Sequence, residues 1–165
     1  MTEKRPKTLL LIEDDPEIER LIKEMLFPYE KHLKVISKDN ASEALSELKA
    51  VDHPDAVLCD IMMLYGKEAG DLLNPRGDDD RYMETGLRLI RHYRDYEKAN
   101  NLPSIWIGFI TARSGLGVGK EIDQLISVKH GHQGKVYFKP FDSFQLEEDL
   151  MAVLGLEYKY AEKGV

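Results

Sequence analysis

The stretch Val57-Leu58-Cys59-Asp60-Ile61-Met62-Met63 is an apolar run that contains one carboxylate. Apolar residues without alternation predict a short strand that is buried on both faces of a sheet. An ionised Asp60 at the end of such a strand is costly unless a positive group lies beside it. The stretch therefore predicts a buried strand whose carboxyl end requires a cationic partner from elsewhere in the chain.

Strand and helix patterns alternate on both sides of this stretch. Between the apolar runs, hydrophobic residues recur at helical spacing, as in Ile18, Leu21 and Met25. This alternation predicts a parallel sheet with helices on both faces. The predicted strands are residues 8–12, 33–37, 56–60, 105–110 and 136–138.

Residues 65–84 interrupt the alternation directly after the strand that carries Asp60. They contain the turn formers Gly66, Gly70 and Gly77, and we predict an irregular insertion there. Loops of this length within a compact domain are uncommon and are usually functional or disordered. The pattern of the whole sequence predicts a single domain over residues 1–165, with its core at about residues 7–156.

The composition excludes several classes of protein. A net charge of −7 argues against direct DNA binding and against adhesion to anionic membranes. The one cysteine allows no disulfide within the chain and fits a reducing compartment. No apolar run approaches the length of a membrane span. We therefore expect a cytoplasmic protein that contacts neither DNA nor a membrane.

Polar residues follow four of the five predicted strands. Glu13 and Asp14 follow the first strand, Asp60 ends the third, Thr111 follows the fourth and Lys139 follows the fifth. In an open parallel α/β sheet the ligand site lies beyond the carboxyl ends of the strands, where the strand order reverses. We therefore expect these five residues to converge although they are far apart in the sequence.

Such a cluster has a chemical consequence. Three carboxylates placed close together repel one another and raise at least one pKa, unless a cation lies between them. Oxygen ligands suit Mg²⁺, and Lys139 would add a further positive charge. With the metal bound, Asp60 could attack phosphorus, while the ion and Lys139 stabilise the transferring phosphoryl group. Thr111 could donate a hydrogen bond to the phosphoryl oxygens.

The chain contains, in this order, the segments LLLIEDDP at residues 9–16, LCDIMM at 58–63, TGL at 85–87, ITA at 110–112 and FKPF at 138–141. Together they resemble the receiver domain of two-component response regulators. The resemblance implies a stand-alone, single-domain receiver of the chemotaxis or sporulation type, with a flavodoxin-like (βα)5 fold. Its five-stranded parallel sheet would have the order 2-1-3-4-5, with an extended loop between the third strand and the third helix.

The resemblance also implies a signalling function. Asp60 would accept a phosphoryl group from the phosphohistidine of a sensor histidine kinase or of a phosphotransfer protein. A downstream protein partner would read the change, and the protein would catalyse only its own phosphorylation and dephosphorylation.

The same resemblance assigns roles around Asp60. Asp14, Asp60 and the backbone carbonyl of Met62 would bind Mg²⁺ directly, and Glu13 would hold it through water. Thr111 would follow the phosphoryl group, and Lys139 would pair with it.

Two positions depart from the family pattern. The family usually has proline four residues after the acceptor, where this chain has Leu64. The family's switch aromatic lies three residues before the lysine, a position that Val136 occupies here. Tyr137 is one residue out of phase, and a shift of one residue on a strand points the side chain to the other face of the sheet.

Two other functions fit parts of the pattern. One is a receiver-fold interaction module that is not phosphorylated, which Val136 and the insertion favour. The other is a phosphatase with an aspartate nucleophile. Phosphatases of the haloacid dehalogenase type require a second aspartate two residues after the first. Met62 occupies that position here and cannot act as an acid or base.

The place of residues 65–84 predicts that they lie beside the acidic pocket and restrict which kinases reach Asp60. Deleting them should change the rate of phosphotransfer or the choice of kinase, measured with a panel of phosphorylated kinases. Unchanged transfer from every kinase tested would contradict this prediction.

Overall fold

A sheet of five parallel strands lies at the centre of the computed structural model, which describes residues 4–77, 84–112 and 119–159. The strand order is β2-β1-β3-β4-β5, so the predicted order and direction are confirmed. The observed limits differ from the predicted ones by no more than two residues. The strands are β1 (Lys7–Ile12), β2 (Leu33–Lys38), β3 (Ala56–Asp60), β4 (Trp106–Thr111) and β5 (Gly134–Phe138).

Six helices connect and cover these strands among the described residues. None of them is both long and apolar enough to cross a membrane. Short 3₁₀ turns follow the first and fifth helices at Phe27–Tyr29 and Val128–His130. The helices are α1 (Pro16–Leu26), α2 (Ala41–Leu48), α3 (Lys67–Leu73), α4 (Thr85–Ala99), α5 (Gly119–Ile126) and α6 (Ser143–Leu154).

Capping residues set the starts of three helices. The Asp15 carboxylate accepts hydrogen bonds from the first turn of α1, where Pro16 occupies the first helical position. Asn40 caps α2 and Asp142 caps α6 in the same way. Gly155, with φ of 66°, ends α6 in the left-handed conformation that glycine adopts most easily.

The sheet separates two apolar cores, and β3 contributes to both. Val57 and Cys59 face the core beneath α2, α3, α4 and α5, whereas Leu58 faces the core beneath α1 and α6. All five residues of β3 are buried. The strand that carries Asp60 is therefore buried on both faces, as its apolar run predicts.

The prediction that residues 65–84 are irregular is wrong for Lys67–Leu73, which form α3. Gly66 precedes this helix with φ of 75°, and Ala69 is buried against the larger core. The helix is only seven residues long and contains Gly70, so its own sequence gives a weak periodic signal. Contacts with α2 and α4 stabilise it instead. Residues 78–83 of the predicted insertion lie outside the described residues.

The predicted phase of the aromatic residue on β5 is confirmed. Val136 packs against the core on the α5 side, and Tyr137 is buried in the core on the α6 side. The Tyr137 hydroxyl donates a 2.7 Å hydrogen bond to Asp149 Oδ2 on α6. This hydrogen bond therefore holds the Tyr137 side chain on the face of the sheet opposite to the face on which Val136 lies.

Packing at Gly86 predicts that this residue tolerates no side chain. A Cβ atom there would lie 2.1 Å from the Asp60 carbonyl oxygen and 2.8 Å from Ile61 Cα. Moving backbone atoms to make room for a side chain is energetically costly. Gly86→Ala should therefore lower the free energy of unfolding by about 1–3 kcal/mol. Urea denaturation measures this change.

Gly70→Ala is the matched control, because Gly70 also lies in a helix. A Cβ atom there would lie 3.6 Å from Tyr65 Cβ, an ordinary contact. Alanine favours helix, so this variant should be more stable by about 0.5–1 kcal/mol. Equal effects of the two substitutions would show that close packing at Gly86 is not the cause.

Candidate functional site

The carboxyl ends of β1, β3 and β5 bring together residues that are far apart in the sequence. Lys139 Nζ lies 3.0 Å from Glu13 Oε2 and 3.2 Å from Asp60 Oδ2. Thr111 is fully buried at the end of β4, and its carbonyl oxygen accepts a 2.8 Å hydrogen bond from the Lys139 amide. The site is therefore built from strand ends, as the parallel topology requires.

Three carboxylates form the acidic part of this site. Glu13, Asp14 and Asp60 each place an oxygen within 4.8 Å of the others. Glu13 is 2% exposed and Asp60 is 4% exposed, whereas Asp14 lies at the surface. The cluster thus opens to solvent on the Asp14 side and is closed on the Glu13 side.

The Asp60 carboxylate is held at both oxygens. Oδ1 accepts a 3.1 Å hydrogen bond from the Met62 amide, and Oδ2 accepts one from Lys139 Nζ. The main chain is fixed as well, because the Ile61 carbonyl accepts a 2.9 Å hydrogen bond from the Gly86 amide. Asp60 is therefore ordered by its neighbours in advance of any reaction.

Burial and the neighbouring charges shift the pKa values of residues in the cluster. Burial, and next the charge of Asp60, raise the pKa of Glu13 from its ordinary 4.5 to about 7. The same two causes raise the pKa of Asp14. Burial acts to lower the pKa of Lys139, but the charges of Asp60 and Glu13 outweigh it and raise that pKa. With three carboxylates and Lys139 as their positive partner, the site is deficient in positive charge.

The residues present fit a divalent cation. Glu13 Oε2 is buried and pairs with Lys139 through charge, but the contact lacks hydrogen-bond geometry, so this oxygen retains acceptor capacity. All donors in the cluster are carboxylate oxygens, the ligands that Mg²⁺ and Ca²⁺ prefer. Glu13, Asp14 and Asp60 can therefore hold a metal ion. The role of the Met62 carbonyl as a further ligand stays a prediction.

Gly86 contacts the site although its chemistry gives no hint of this. Its missing side chain lets the first turn of α4 lie directly against the Asp60 carbonyl. The available signal is a glycine at the start of a helical pattern, which lowers helix propensity without an evident local reason. Close packing on the strand that carries Asp60 supplies the reason.

The raised pKa of Glu13 predicts that the metal-free protein loses stability as the pH rises. With a folded pKa of about 7 against an ordinary value of 4.5, the folded state binds more protons between these values. The contribution of Glu13 to the free energy of unfolding should therefore fall as the pH increases through this window. Denaturation in EDTA at about pH 5 and about pH 8 measures it.

Glu13→Gln provides the comparison, because glutamine does not titrate. Its free energy of unfolding should decline less between the two pH values than that of the unmodified protein. Identical declines in both proteins would rule out Glu13 as the titrating group.

A search against models of protein families finds no match, and no curated protein matches the sequence. Solved structures of receiver domains do match the fold. A receiver domain from Pseudomonas fluorescens is 19% identical with a TM-score of 0.63, over 92% of this chain and 96% of that one. A two-component response regulator from Clostridium difficile is 17% identical with a TM-score of 0.59, over 90% and 96%.

The chemotaxis protein CheY4 of Vibrio cholerae gives a similar result. It is 18% identical with a TM-score of 0.58, over 90% of this chain and 99% of that one. At such identities the likeness establishes the fold. The chain has the flavodoxin-like fold of response-regulator receiver domains.

Proposed function

We propose that this protein is a phosphoacceptor switch of a two-component phosphorelay. Asp60 receives a phosphoryl group from a phosphohistidine on a sensor histidine kinase or on a phosphotransfer protein. The observation that carries the proposal is the buried Asp60 carboxylate, paired with Lys139 at 3.2 Å and clustered with two further carboxylates at the ends of parallel strands. The receiver fold supports it.

The reaction transfers phosphorus from nitrogen to oxygen. An Asp60 carboxylate oxygen forms a bond to phosphorus as the bond to the histidine nitrogen breaks, and the electron pair of that bond stays on the imidazole. Asp14, Asp60 and the Met62 carbonyl would hold Mg²⁺, with Glu13 acting through water, and the ion would supply positive charge for the phosphoryl oxygens. Lys139 adds charge from the β5 side, and the Met62 amide orients the carboxylate.

Phosphorylation would then change the balance of charge around Lys139 and Thr111. Moving a two-state protein from 1:99 to 99:1 takes roughly 5.5 kcal/mol of preference. Charge-assisted hydrogen bonds contribute about 1.5–3 kcal/mol each, so a few new bonds suffice. A downstream protein partner reads the new state; the protein binds no DNA directly, contacts no membrane and works in the cytoplasm.

The second candidate is a receiver-fold interaction module that is not phosphorylated. The observation that favours it is the position of Tyr137, which is bound to Asp149 on the face away from α5. Val136 takes the place where the family has its switch aromatic, so the family's coupling between the threonine and that aromatic would not operate in the usual way here. The complete set of acidic residues and Lys139 favours the switch.

The switch predicts that Asp60 is modified by a small phosphodonor. Incubation with Mg²⁺ and acetyl phosphate should add one phosphoryl group, measured by the intact mass of the protein. Asp60→Asn should show no gain, and EDTA should suppress the gain in the unmodified protein. Little or no phosphate should be released from other phosphate esters, since the protein catalyses only its own modification.

Asp15→Asn is the matched control. Asp15 is a neighbouring exposed aspartate whose side chain caps α1, and asparagine caps equally well. This variant should gain the phosphoryl group as the unmodified protein does. No gain in any protein would favour the interaction module, and steady release of phosphate from many substrates would favour a phosphatase.

A further inference from the structure

The inserted helix α3 is attached at its start to α2. The Ser42 amide and hydroxyl donate hydrogen bonds of 2.8 Å and 3.0 Å to the Tyr65 carbonyl. The Ser42 hydroxyl oxygen also accepts a 2.9 Å hydrogen bond from the Ala69 amide in the first turn of α3. Gly66 lies between these partners, where a Cβ atom would be 2.5 Å from Ser42 Oγ. The start of α3 is therefore fixed on the first turn of α2.

The end of α3 is attached to α4 by Arg88. Its Nη1 donates hydrogen bonds of 2.8 Å to Asn74 Oδ1 and 3.3 Å to the Leu73 carbonyl. A guanidinium at this position satisfies carbonyl groups that a helix leaves open at its carboxyl end, and it complements the helix dipole. The Arg88 side chain is 21% exposed, so these bonds are partly shielded from water.

Arg88 belongs to the same turn of α4 that contacts the acceptor. Two residues earlier, the Gly86 amide donates to the Ile61 carbonyl, and the Gly86 Cα lies against the Asp60 carbonyl. A helical turn moves as a unit because its backbone hydrogen bonds join consecutive residues. A displacement of α4 at Arg88 would therefore also displace the contact with Asp60 and Ile61.

We propose that Arg88 is a positioning residue for the reaction at Asp60. In this role α3 is the fixed support to which Arg88 is hydrogen-bonded. By bonding to the carboxyl end of α3, Arg88 holds the first turn of α4 in place, and that turn fixes the Asp60–Ile61 main chain. The inference rests on the proposed phosphoacceptor function. It gives the inserted helix a part in setting the rate of phosphorylation.

Arg88→Met tests this role, because methionine keeps an unbranched, largely apolar stem like that of arginine and removes the guanidinium donors. At saturating Mg²⁺ the rate constant of phosphorylation at saturating acetyl phosphate should fall about tenfold, since small misplacements of reacting groups cost up to a hundredfold. The acetyl phosphate concentration at half-maximal rate should stay unchanged, because Arg88 does not contact the donor. Arg88→Lys should restore part of the rate.

Arg91→Met is the matched control on the same helix. Arg91 pairs with Glu121 of α5 at 3.3 Å, so it contacts a different neighbour. This variant should keep the rate constant of the unmodified protein. Asn74→Ala removes the side-chain acceptor of the same hydrogen bond. The effects of Asn74→Ala and Arg88→Met on the rate constant should therefore not add in the double variant.

Each outcome has a defined meaning. If the unmodified protein is phosphorylated and Arg88→Met and Arg91→Met have equal rate constants, the positioning role is overturned and the proposed function stays intact. Additive effects of Arg88→Met and Asn74→Ala would also overturn it. Absence of phosphorylation in the unmodified protein would overturn the proposed function itself. If Arg88→Met does not fold, Asn74→Ala alone should show a lowered rate constant, and an unchanged one would overturn the inference.

Discussion

The contact of Lys139 with two buried carboxylates is the interaction on which the site depends. Burial of Glu13 and Asp60 beside each other is unfavourable, and Lys139 offsets part of that cost at 3.0 Å and 3.2 Å. One lysine cannot balance three carboxylates, and burial, together with the charge of Asp60, raises the pKa of Glu13 to about 7. The parallel sheet imposes this arrangement, because it brings the carboxyl ends of β1, β3 and β5 to one edge.

Much of this arrangement could be predicted from the sequence because it depends on local patterns. Uninterrupted apolar runs indicate buried parallel strands, and a polar residue at the end of such a run has to lie at the sheet edge. The convergence of Glu13, Asp60 and Lys139 follows from those two facts. The phase of Tyr137 follows from the two-residue period of a strand.

The parts that could not be predicted depend on contacts between distant segments. α3 has seven residues and an internal glycine, and Ser42 and Arg88 stabilise it from two other helices. Neither contact leaves a periodic signal in residues 65–84. The role of Gly86 is hidden for the same reason, since the backbone it touches lies on β3.

Asp60 is held in two physically different ways, and they would respond differently to phosphorylation. Lys139 and the Met62 amide hold its carboxylate by charge and hydrogen bonding, whereas Gly86 holds its main chain by close packing. A phosphoryl group changes the charge but not the packing. The structural response should therefore begin on the β4–β5 side, where the Lys139 amide bonds to the Thr111 carbonyl. The α3–α4 side would remain the fixed support against which that response occurs.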